Sequence, residues 1–446
     1  MFDFRAQYDS KKKSIPGVLS LLKSNDAIIS SLGACAPIEM LGKLHTVADN
    51  GVSGLDVTDC LPLFSYEYMT NPNPEVITSS AWFYSAFQRI AKKNDSASIS
   101  HVPQRLHTAG IRRLHAHTQD SRRVVLVASC SPMDQHGYLT TSLSATFERL
   151  MIDSGAFVLV EVNKQMPRTF GDTPIHISEI DALCEVDYAP PALPFVPFTE
   201  NDAKIAGFVA ERIEDGSTVQ LGIGGIPNAI ANGLKTKKHL GIHTEMLTDN
   251  MVDLVECGAV DNSMKTLMKH KTIGTFAMGS QKLYDFVNDN PSVMLLNGSW
   301  VNDPAVIGRN HKMQSINTAL EVDLFGQCAS EAIGPVQFSG SGGQADTAIG
   351  AQRSEGGHSF ICLYSTASVK TKDGGRETVS KITPFLKEGS IVTLSRNDVD
   401  YIVTEYGIAG LRGRSLKERA DRLIAIAHPD FRDELRAHVR NNPAVY

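Results

Sequence analysis

The sequence predicts two open α/β domains with mostly parallel sheets, related by duplication. Three observations support this fold class. The chain has 446 residues, more than one ordinary hydrophobic core holds, so two domains are expected. A segment near the middle, 188–198, contains four prolines, and proline at this density continues neither a helix nor a central strand. Apolar runs alternate with helix-like stretches on both sides, which is typical of buried parallel strands.

The domain boundary is placed in this proline-rich segment, YAPPALPFVPF. It separates an N-terminal domain, 1–187, from a C-terminal domain, 199–446, and each length suits a domain. A long surface loop inside one domain remains the alternative. The predicted elements are strands at 123–129, 157–163, 217–223, 358–364, 390–395 and 400–407, and a helix at 415–427.

The two halves contain similar stretches at an offset of 190 residues. LLKSNDAIISSLGACAPIEMLGKL, 21–44, resembles ERIEDGSTVQLGIGGIPNAIANGL, 211–234. Each predicts a polar turn, an apolar strand, a loop of small residues, a proline and a helix. The similarity suggests a duplicated α/β unit, although strand–turn–helix units also resemble one another by chance.

Composition and charge exclude several classes of protein. Hydrophobic residues make up 42% and charged residues 21%, as in ordinary globular domains. The net charge of −6 argues against a general nucleic-acid binder. No apolar run reaches the roughly 18 residues of a membrane helix, and the N-terminus shows no secretory signal. Seven scattered cysteines without a CxxC pair favour reduced, buried thiols in a cytoplasmic protein.

A glycine loop follows the predicted strand that ends near Leu221. It contains Gly222, Ile223, Gly224, Gly225 and Ile226, and the next residue is a proline suited to the first turn of a helix. A strand, a glycine loop and a helix N-terminus in this order expose backbone N–H groups to an anion. The loop matches neither GxGxxG nor a P-loop, and a tight turn without a ligand explains the spacing as well.

A second glycine cluster and a glutamate complete the candidate residues. FSGSGGQAD, 338–346, lets a ligand approach the backbone closely, or forms a flexible loop.

Glu245 follows the short apolar stretch Leu240–Ile242, in the order GIHTEM. Spacing alone allows a helix cap, a solvated turn residue or a working carboxylate. If this strand neighbours the strand of the first loop, both reach the same crevice.

Two other groups of polar residues carry weaker signals. Ser131, Asp134 and His136 lie together in SPMDQHG, where a turn is expected because no GxSxG elbow occurs. A cluster of histidines, RLHTAGIRRLHAH at 105–117, has no zinc-ligand spacing. No metal site is therefore predicted.

With these motifs in hand, the chain resembles the acetyl-CoA hydrolase/transferase family of CoA-transferases. It is most similar to the 4-hydroxybutyrate and butyryl-CoA:acetate CoA-transferase members. The resemblance covers nearly the whole chain. Its motifs are SPMDQHGYLTTS, VNKQMPRTFGDTPIHISEID, QLGIGGIPNAI, GIHTEM, FSGSGGQAD and the C-terminal SRNDVDYIVTEYGIAGLRGRSLKERADRLIAIAHPDF.

The resemblance implies the CoA-transferase fold and assigns the site residues. The family's nucleophilic glutamate, which carries CoA covalently, matches Glu245 in GIHTEM. Glu331 is the rival, because SEAIG is loosely similar to the SENG motif of more distant CoA-transferases. Relatives also accept aspartate at that position, which would withdraw a nucleophile by one methylene. The CoA-binding and oxyanion contacts match Gly222, Ile223, Gly224, Gly225 and Ile226 in the first loop and Gly343 in the second.

The resemblance also implies an activity. A CoA-transferase moves CoA between a short-chain acyl-CoA, such as 4-hydroxybutyryl-CoA or butyryl-CoA, and a carboxylate such as acetate. It needs no cofactor beyond CoA as substrate, and a homodimer is expected. An acyl-CoA hydrolase on the same scaffold and a non-catalytic acyl-CoA sensor are the alternatives. Ala345, Asp346 and Thr347 stand where relatives often have Val-Asp-Phe, which leaves the acyl specificity open.

Overall fold

A seven-stranded parallel sheet organises the first half of the chain. The protein is described by a computed structural model for residues 3–94, 98–371 and 373–442. The strands of this sheet are β1 Ala27–Ser30, β2 Leu55–Thr58, β3 Ile77–Ala81, β4 Ile99–His101, β5 Val124–Cys130, β6 Phe157–Asn163 and β7 Ala182–Val186. Their spatial order is β4-β3-β2-β1-β5-β6-β7, and every pair is parallel.

Short helices connect these strands. They are Phe4–Lys11, Ile15–Leu19, Ile38–Gly42, Glu67–Thr70, Ala86–Asn94, Leu106–Gln119 and Glu148–Asp153, with 3-10 turns at Gly33–Cys35, Leu44–Asn50 and Ile177–Glu179. The β5 strand, VVLVASC, is buried along its whole length. A strand that is covered on both faces is expected to be continuously apolar rather than alternating.

A six-stranded sheet organises the second half. Its strands are β8 Thr218–Leu221, β9 Gly241–Ile242, β10 Met313–Thr318, β11 His358–Cys362, β12 Tyr401–Thr404 and β13 Gly407–Gly410. Their order is β9-β8-β10-β11-β12-β13. Only the last pair is antiparallel among the described residues of this sheet. The expected fold class, open and mostly parallel α/β sheets, is confirmed.

The helices around the second sheet are α1 Glu200–Ala210, α2 Gly225–Leu234, α3 Asp249–Glu256, α4 Pro304–Ile307, α5 Gln344–Arg353, α6 Leu416–Ile426 and α7 Arg432–Arg440. A buried core of apolar residues from β11, β12, α5 and α6 fills the space between sheet and helices. Ser415 caps α6, and Glu418 completes a capping box, so the helix predicted at 415–427 begins where its sequence signal lies.

Smaller strand pairs complete the chain. They are Tyr138–Thr140 with Pro174–His176, Met246–Leu247 with Phe276–Ala277, Thr272–Gly274 with Val293–Leu295, Ala332–Ile333 with Val336–Gln337, and Thr366–Lys370 with Arg376–Ser380. Glu321–Asp323 pairs with Cys328–Ala329 and Ile382–Thr383. The remaining helices are Gln281–Val287 and Gly298–Val301, and a 3-10 turn spans Pro429–Phe431.

The chain forms two compact units that interleave in sequence. Unit 1 contains Met1–Pro194, Glu245–Asp249 and Lys271–Val301. Unit 2 contains Phe195–Thr244, Asn250–His270 and Asn302–Tyr446. The first crossing, after Pro194, falls inside the proline-rich segment. Unit 2 does not coincide with the contiguous stretch 199–446, because Glu245–Asp249 and Lys271–Val301 join the first unit.

Two predictions from the sequence concern single elements of the fold. The strand predicted at 390–395 is wrong: Ile391 and Val392 are 48% and 44% exposed, and only Leu394 is buried, where it forms an isolated bridge to Cys328. The similar stretches at an offset of 190 both form a strand, a loop and a helix, through β1 and β8.

Candidate active site

The strand that leads to Glu245 lies beside the strand that leads to the first glycine loop. β9 pairs with β8 in parallel, with Val219 opposite Ile242, and the N–H of His243 donates to the carbonyl of Val219 at 3.2 Å. Both segments therefore leave the sheet of unit 2 at the same carboxyl edge, where open α/β sheets bind ligands. The expectation that these strands are neighbours is confirmed.

The first glycine loop ends at the N-terminus of α2, with Gly224 as the cap residue. Gly224 has a φ of +112°, a backbone conformation that favours glycine. No side chain in the described part of the chain caps this helix. Because Pro227 has no N–H, Gly225 and Ile226 present the donors of the first turn. The uncapped N–H groups and the helix dipole favour an anion here.

A clamp around Asp202 holds this loop in place. The carboxylate of Asp202, in the first turn of α1, accepts hydrogen bonds from the N–H of Thr199 at 2.7 Å and the hydroxyl of Tyr364 at 2.6 Å. A Cβ on Gly225 would lie 2.8 Å from an oxygen of this carboxylate. Glycine at 225 therefore lets the loop pack directly on the clamp. The capping pattern Thr-x-x-Asp at 199–202 is the sequence signal for this clamp.

The second glycine loop, like the first, ends at the N-terminus of a helix. Gly343 is the cap residue of α5, and Gly342 has a φ of +51°. No side chain of the described residues caps α5. Gln344 anchors the first turn by donating from its side chain to the carbonyl of Thr318 at 2.8 Å. Both candidate CoA-binding loops are thus uncapped helix N-termini of unit 2.

Ala345, Asp346 and Thr347, where the resemblance leaves the acyl specificity open, lie in the first turn of α5 and are buried. Thr347 is 3% exposed, and its hydroxyl accepts from Ser315 at 2.9 Å and from Asn317 at 3.1 Å. Gln220 in β8 joins the same network by accepting from Ser315 at 3.0 Å. Thr347 therefore makes a hydrogen-bonded contact to the sheet, and this network links the strands under both glycine loops.

Glu245 is half-buried and belongs to unit 1. Its carbonyl accepts from the N–H of Thr275 at 2.9 Å. The next two residues, Met246–Leu247, pair in parallel with Phe276–Ala277. The backbone of the candidate nucleophile is therefore fixed by hydrogen bonds, as a group that must meet a reacting carbonyl requires.

Two residues at the carboxyl end of β2 share this region of unit 1. Burial, and after it the negative charge of Glu245, raise the pKa of the Cys60 thiol well above its ordinary value. Asp59, 3% exposed, accepts from Ser79 at 3.2 Å and Tyr68 at 3.3 Å. Burial raises the pKa of Asp59 to about 7 although these hydrogen bonds oppose the shift. Sequence reasoning missed both residues.

Glu331 occupies a different environment. It lies in unit 2 and is 7% exposed. Each of its carboxylate oxygens accepts a side-chain hydrogen bond, one from Gln337 at 3.1 Å and one from Thr393 at 3.2 Å. A buried carboxylate with both oxygens engaged is better suited to holding a hairpin than to attacking a thioester.

The weaker signals have structural explanations. Asp134 accepts from the N–H groups of His136 and Tyr138 and pairs with Arg168, which confirms the turn expected there. Within 3–94, 98–371 and 373–442, no group of three or more His, Cys, Asp or Glu could hold a metal ion. No helix in these ranges has the length and apolar character needed to cross a membrane.

Comparison with known proteins supplies the family. The acetyl-CoA hydrolase/transferase N-terminal domain matches residues 2–197, and the C-terminal domain of the same family matches residues 279–439. The chain belongs to this family. The resemblance seen in the motifs is thereby confirmed.

Named relatives narrow the enzyme class. A succinyl-CoA:cyclohexane-1-carboxylate CoA transferase of Geobacter metallireducens is 46% identical over 83% of this chain and 82% of its own. A 4-hydroxybutyrate coenzyme A transferase of Clostridium kluyveri is 39% identical over 96% and 97%. The crystal structure of RipA from Yersinia pestis matches with a TM-score of 0.89 and 33% identity, over 99% of both chains. Acetyl-CoA hydrolases are more distant relatives, so the expected class, CoA-transferase, is confirmed.

Proposed function

We propose that the protein transfers CoA between a short-chain acyl-CoA and a carboxylate such as acetate, through a thioester on Glu245. The observation that carries this proposal is the pairing of β9 with β8. It brings the segment that continues into Glu245 and the first glycine loop to one edge of the sheet, and open α/β sheets bind ligands at such edges. The family and its named transferases support the same chemistry.

The first half-reaction forms the covalent intermediate. A carboxylate oxygen of Glu245 attacks the thioester carbonyl of the acyl-CoA, and the C–S bond breaks to give CoA thiolate and an acyl-glutamyl anhydride. The thiolate then attacks the glutamyl carbonyl and releases the free carboxylate. Glutamyl-CoA thioester remains on the enzyme, and this division of one step into two is covalent catalysis.

The second half-reaction reverses these steps with the acceptor. Acetate attacks the glutamyl-CoA carbonyl, CoA thiolate leaves, and the thiolate attacks the acetyl carbonyl of the new anhydride to give acetyl-CoA and free Glu245. Each attack develops an oxyanion. The N–H groups of Gly225, Ile226 and the Gly343 loop are the donors we assign to CoA and these oxyanions.

The names of the relatives guide the choice of substrates. Three relatives that are 39% to 46% identical to this chain have substrates in their names. These substrates are succinyl-CoA, cyclohexane-1-carboxylate, 4-hydroxybutyrate, butyryl-CoA and acetate. We propose 4-hydroxybutyryl-CoA or butyryl-CoA as donor and acetate as acceptor. We also propose a cytoplasmic homodimer. All seven cysteines are free and six are buried, as expected where thiols stay reduced.

The experiment is an exchange assay with one acyl-CoA donor and one carboxylate acceptor. Butyryl-CoA and labelled acetate should yield labelled acetyl-CoA with parallel lines in double-reciprocal plots, the pattern of a ping-pong enzyme. Release of free CoA thiol should be slow when acetate is left out. Fast thiol release that acetate does not redirect would identify an acyl-CoA hydrolase instead.

A further inference from the structure

The edge strand before Glu245 is held on its open side by two side chains. The N–H of Ile242 donates to the Asn262 amide oxygen at 2.9 Å, and its carbonyl accepts from the Lys265 Nζ at 2.8 Å. All three residues lie in unit 2, where β9 is an end strand. Asn262 and Lys265 therefore bond the peptide groups that a further strand would otherwise pair.

Lys265 is built into the fold around this contact. Its side chain is 1% exposed. A Cβ on Gly241 would lie 2.3 Å from its Cγ and 2.8 Å from its Cδ, so the glycine of GIHTEM makes room for the lysine stem. Burial lowers the pKa of Lys265 to about 7. An amine in such a place costs free energy, whereas an apolar side chain would fill the space without that cost.

The chain is fixed again immediately afterwards. Only two residues separate Ile242 from Glu245, and the carbonyl of Glu245 is held by the N–H of Thr275. Because only two residues intervene, a shift of the Ile242 peptide is passed along the backbone to Glu245.

We propose that Lys265 is a positioning residue for Glu245, acting through its hydrogen bond to the Ile242 carbonyl and assisted by Asn262. This inference rests on the proposed function, in which Glu245 attacks the thioester. It explains why a lysine 20 residues after Glu245 in the chain is buried against β9, the strand that precedes this glutamate.

The test is a single-turnover measurement on Lys265→Ala. Enzyme is mixed with an excess of butyryl-CoA without acetate, quenched at intervals, and the CoA-modified protein is quantified by mass spectrometry, so that the amplitude counts competent enzyme. We expect the rate constant for adduct formation to fall about 10²-fold, the cost of a small misplacement of a reacting group. The Kd for free CoA should stay within about twofold, since the glycine loops are unchanged. The matched control is Lys381→Ala, a half-buried lysine that also donates to a backbone carbonyl and whose loss should leave the rate constant unchanged.

A double-mutant cycle separates positioning from folding. Misfolding lowers the amplitude of the single turnover, whereas misplacement lowers its rate constant. Gly241→Ala should displace the lysine stem and slow the adduct like Lys265→Ala. In Lys265→Ala the same added Cβ meets no stem, so the double variant should be no slower than the single one.

Three outcomes would overturn the inference. They are an unchanged rate constant in Lys265→Ala, a loss of amplitude alone, and independent, multiplicative effects of the two substitutions. A wild-type enzyme that forms no adduct would contradict the proposed function itself, so the two failures are distinguishable.

Discussion

At the scale of the residue, the environments of the two candidate glutamates differ. Glu245 is half-buried and lies between the short strands β9 and Met246–Leu247. Both carboxylate oxygens of Glu331 accept hydrogen bonds, from Gln337 and Thr393. We expect Glu245→Gln to lower acyl exchange by about 10³-fold or more, because an amide cannot form the anhydride. The measurement is the initial rate of acetyl-CoA formation.

Glu331→Gln is the matched control for that substitution. It keeps the size of the side chain and one acceptor oxygen, so exchange should stay within about tenfold, while the disturbed hydrogen bonds cost about 1–3 kcal/mol in the free energy of unfolding. A variant of Glu331 that loses exchange while Glu245→Gln retains it would reverse our assignment.

The sequence pointed to Glu245 but not to the residues that support it. GIHTEM places a carboxylate directly after an apolar stretch, and a local pattern of this kind can be recognised in the sequence. Lys265 and Asp59 gave no such signal. Lys265 is buried against a strand edge and Asp59 at the end of β2, and burial depends on contacts between distant parts of the chain.

At the scale of the element, the first glycine loop depends on its packing against the Asp202 clamp. In Gly225→Ala the new Cβ would lie 2.8 Å from the Asp202 carboxylate, which Thr199 and Tyr364 hold in place. The loop must then shift, and we expect CoA binding to weaken by about 1–3 kcal/mol. Isothermal titration with free CoA measures this change.

Gly207→Ala in α1 is the control for the loop variant. A Cβ there meets nothing within 4 Å, and alanine is the better helix former, so the free energy of unfolding should rise by about 0.5–1 kcal/mol. CoA affinity should not change. Equal losses of CoA affinity in both variants would show that the contact with Asp202 is not the cause of the loss.

The elements with strong local patterns were predicted well. The strands at 124–130 and 157–163 and the capped helix at 416–426 have continuous apolar or periodic sequences. The error at 390–395 has a physical cause: a short apolar run indicates a strand only if the fold buries it, and here the two leading residues face solvent. The meeting of the segments after β8 and β9 could be expected from the sequence, because neighbouring parallel strands have their carboxyl ends at the same edge of a sheet.

At the scale of the whole molecule, buried ionisable groups make stability depend on pH. Burial lowers the pKa of Lys265 to about 7 from 10.5. Between these values the unfolded chain binds the proton that the folded chain lacks, so this group contributes stability that rises with pH from about 7 to 10. Burial raises the pKa of Glu161 to about 7 from 4.5, so its contribution is lost as pH rises through 7.

Substitution isolates these contributions. The unfolding free energy of Lys265→Met relative to wild type should be highest near pH 7 and should decline toward pH 9 by up to about 1.4 kcal/mol per pH unit. Urea unfolding at pH 7, 8 and 9 measures this. Asn262→Ala removes a hydrogen bond without a titrating group, and its difference from wild type should not vary with pH. A constant difference for Lys265→Met would contradict a neutral buried amine.

The division of the chain into units was only partly accessible from sequence. Proline density located the crossing near Pro194, because prolines signal locally. The return of 271–301 to unit 1 depends on pairing with 1–194, as in the bridges of Ser144 with Phe276 and of Gly171 with Leu295, and 245–249 pairs in turn with 271–301 through Met246–Leu247 and Phe276–Ala277. Single bridges and two-residue strands carry no periodic signal.

The central claim is that Glu245 carries CoA, and peptide mapping tests it most directly. The enzyme is incubated with butyryl-CoA without acetate, treated with hydroxylamine, digested and analysed by mass spectrometry. We predict a hydroxamate on the peptide that contains Glu245. A hydroxamate on the peptide that contains Glu331, or none on either peptide while exchange activity persists, would contradict the account.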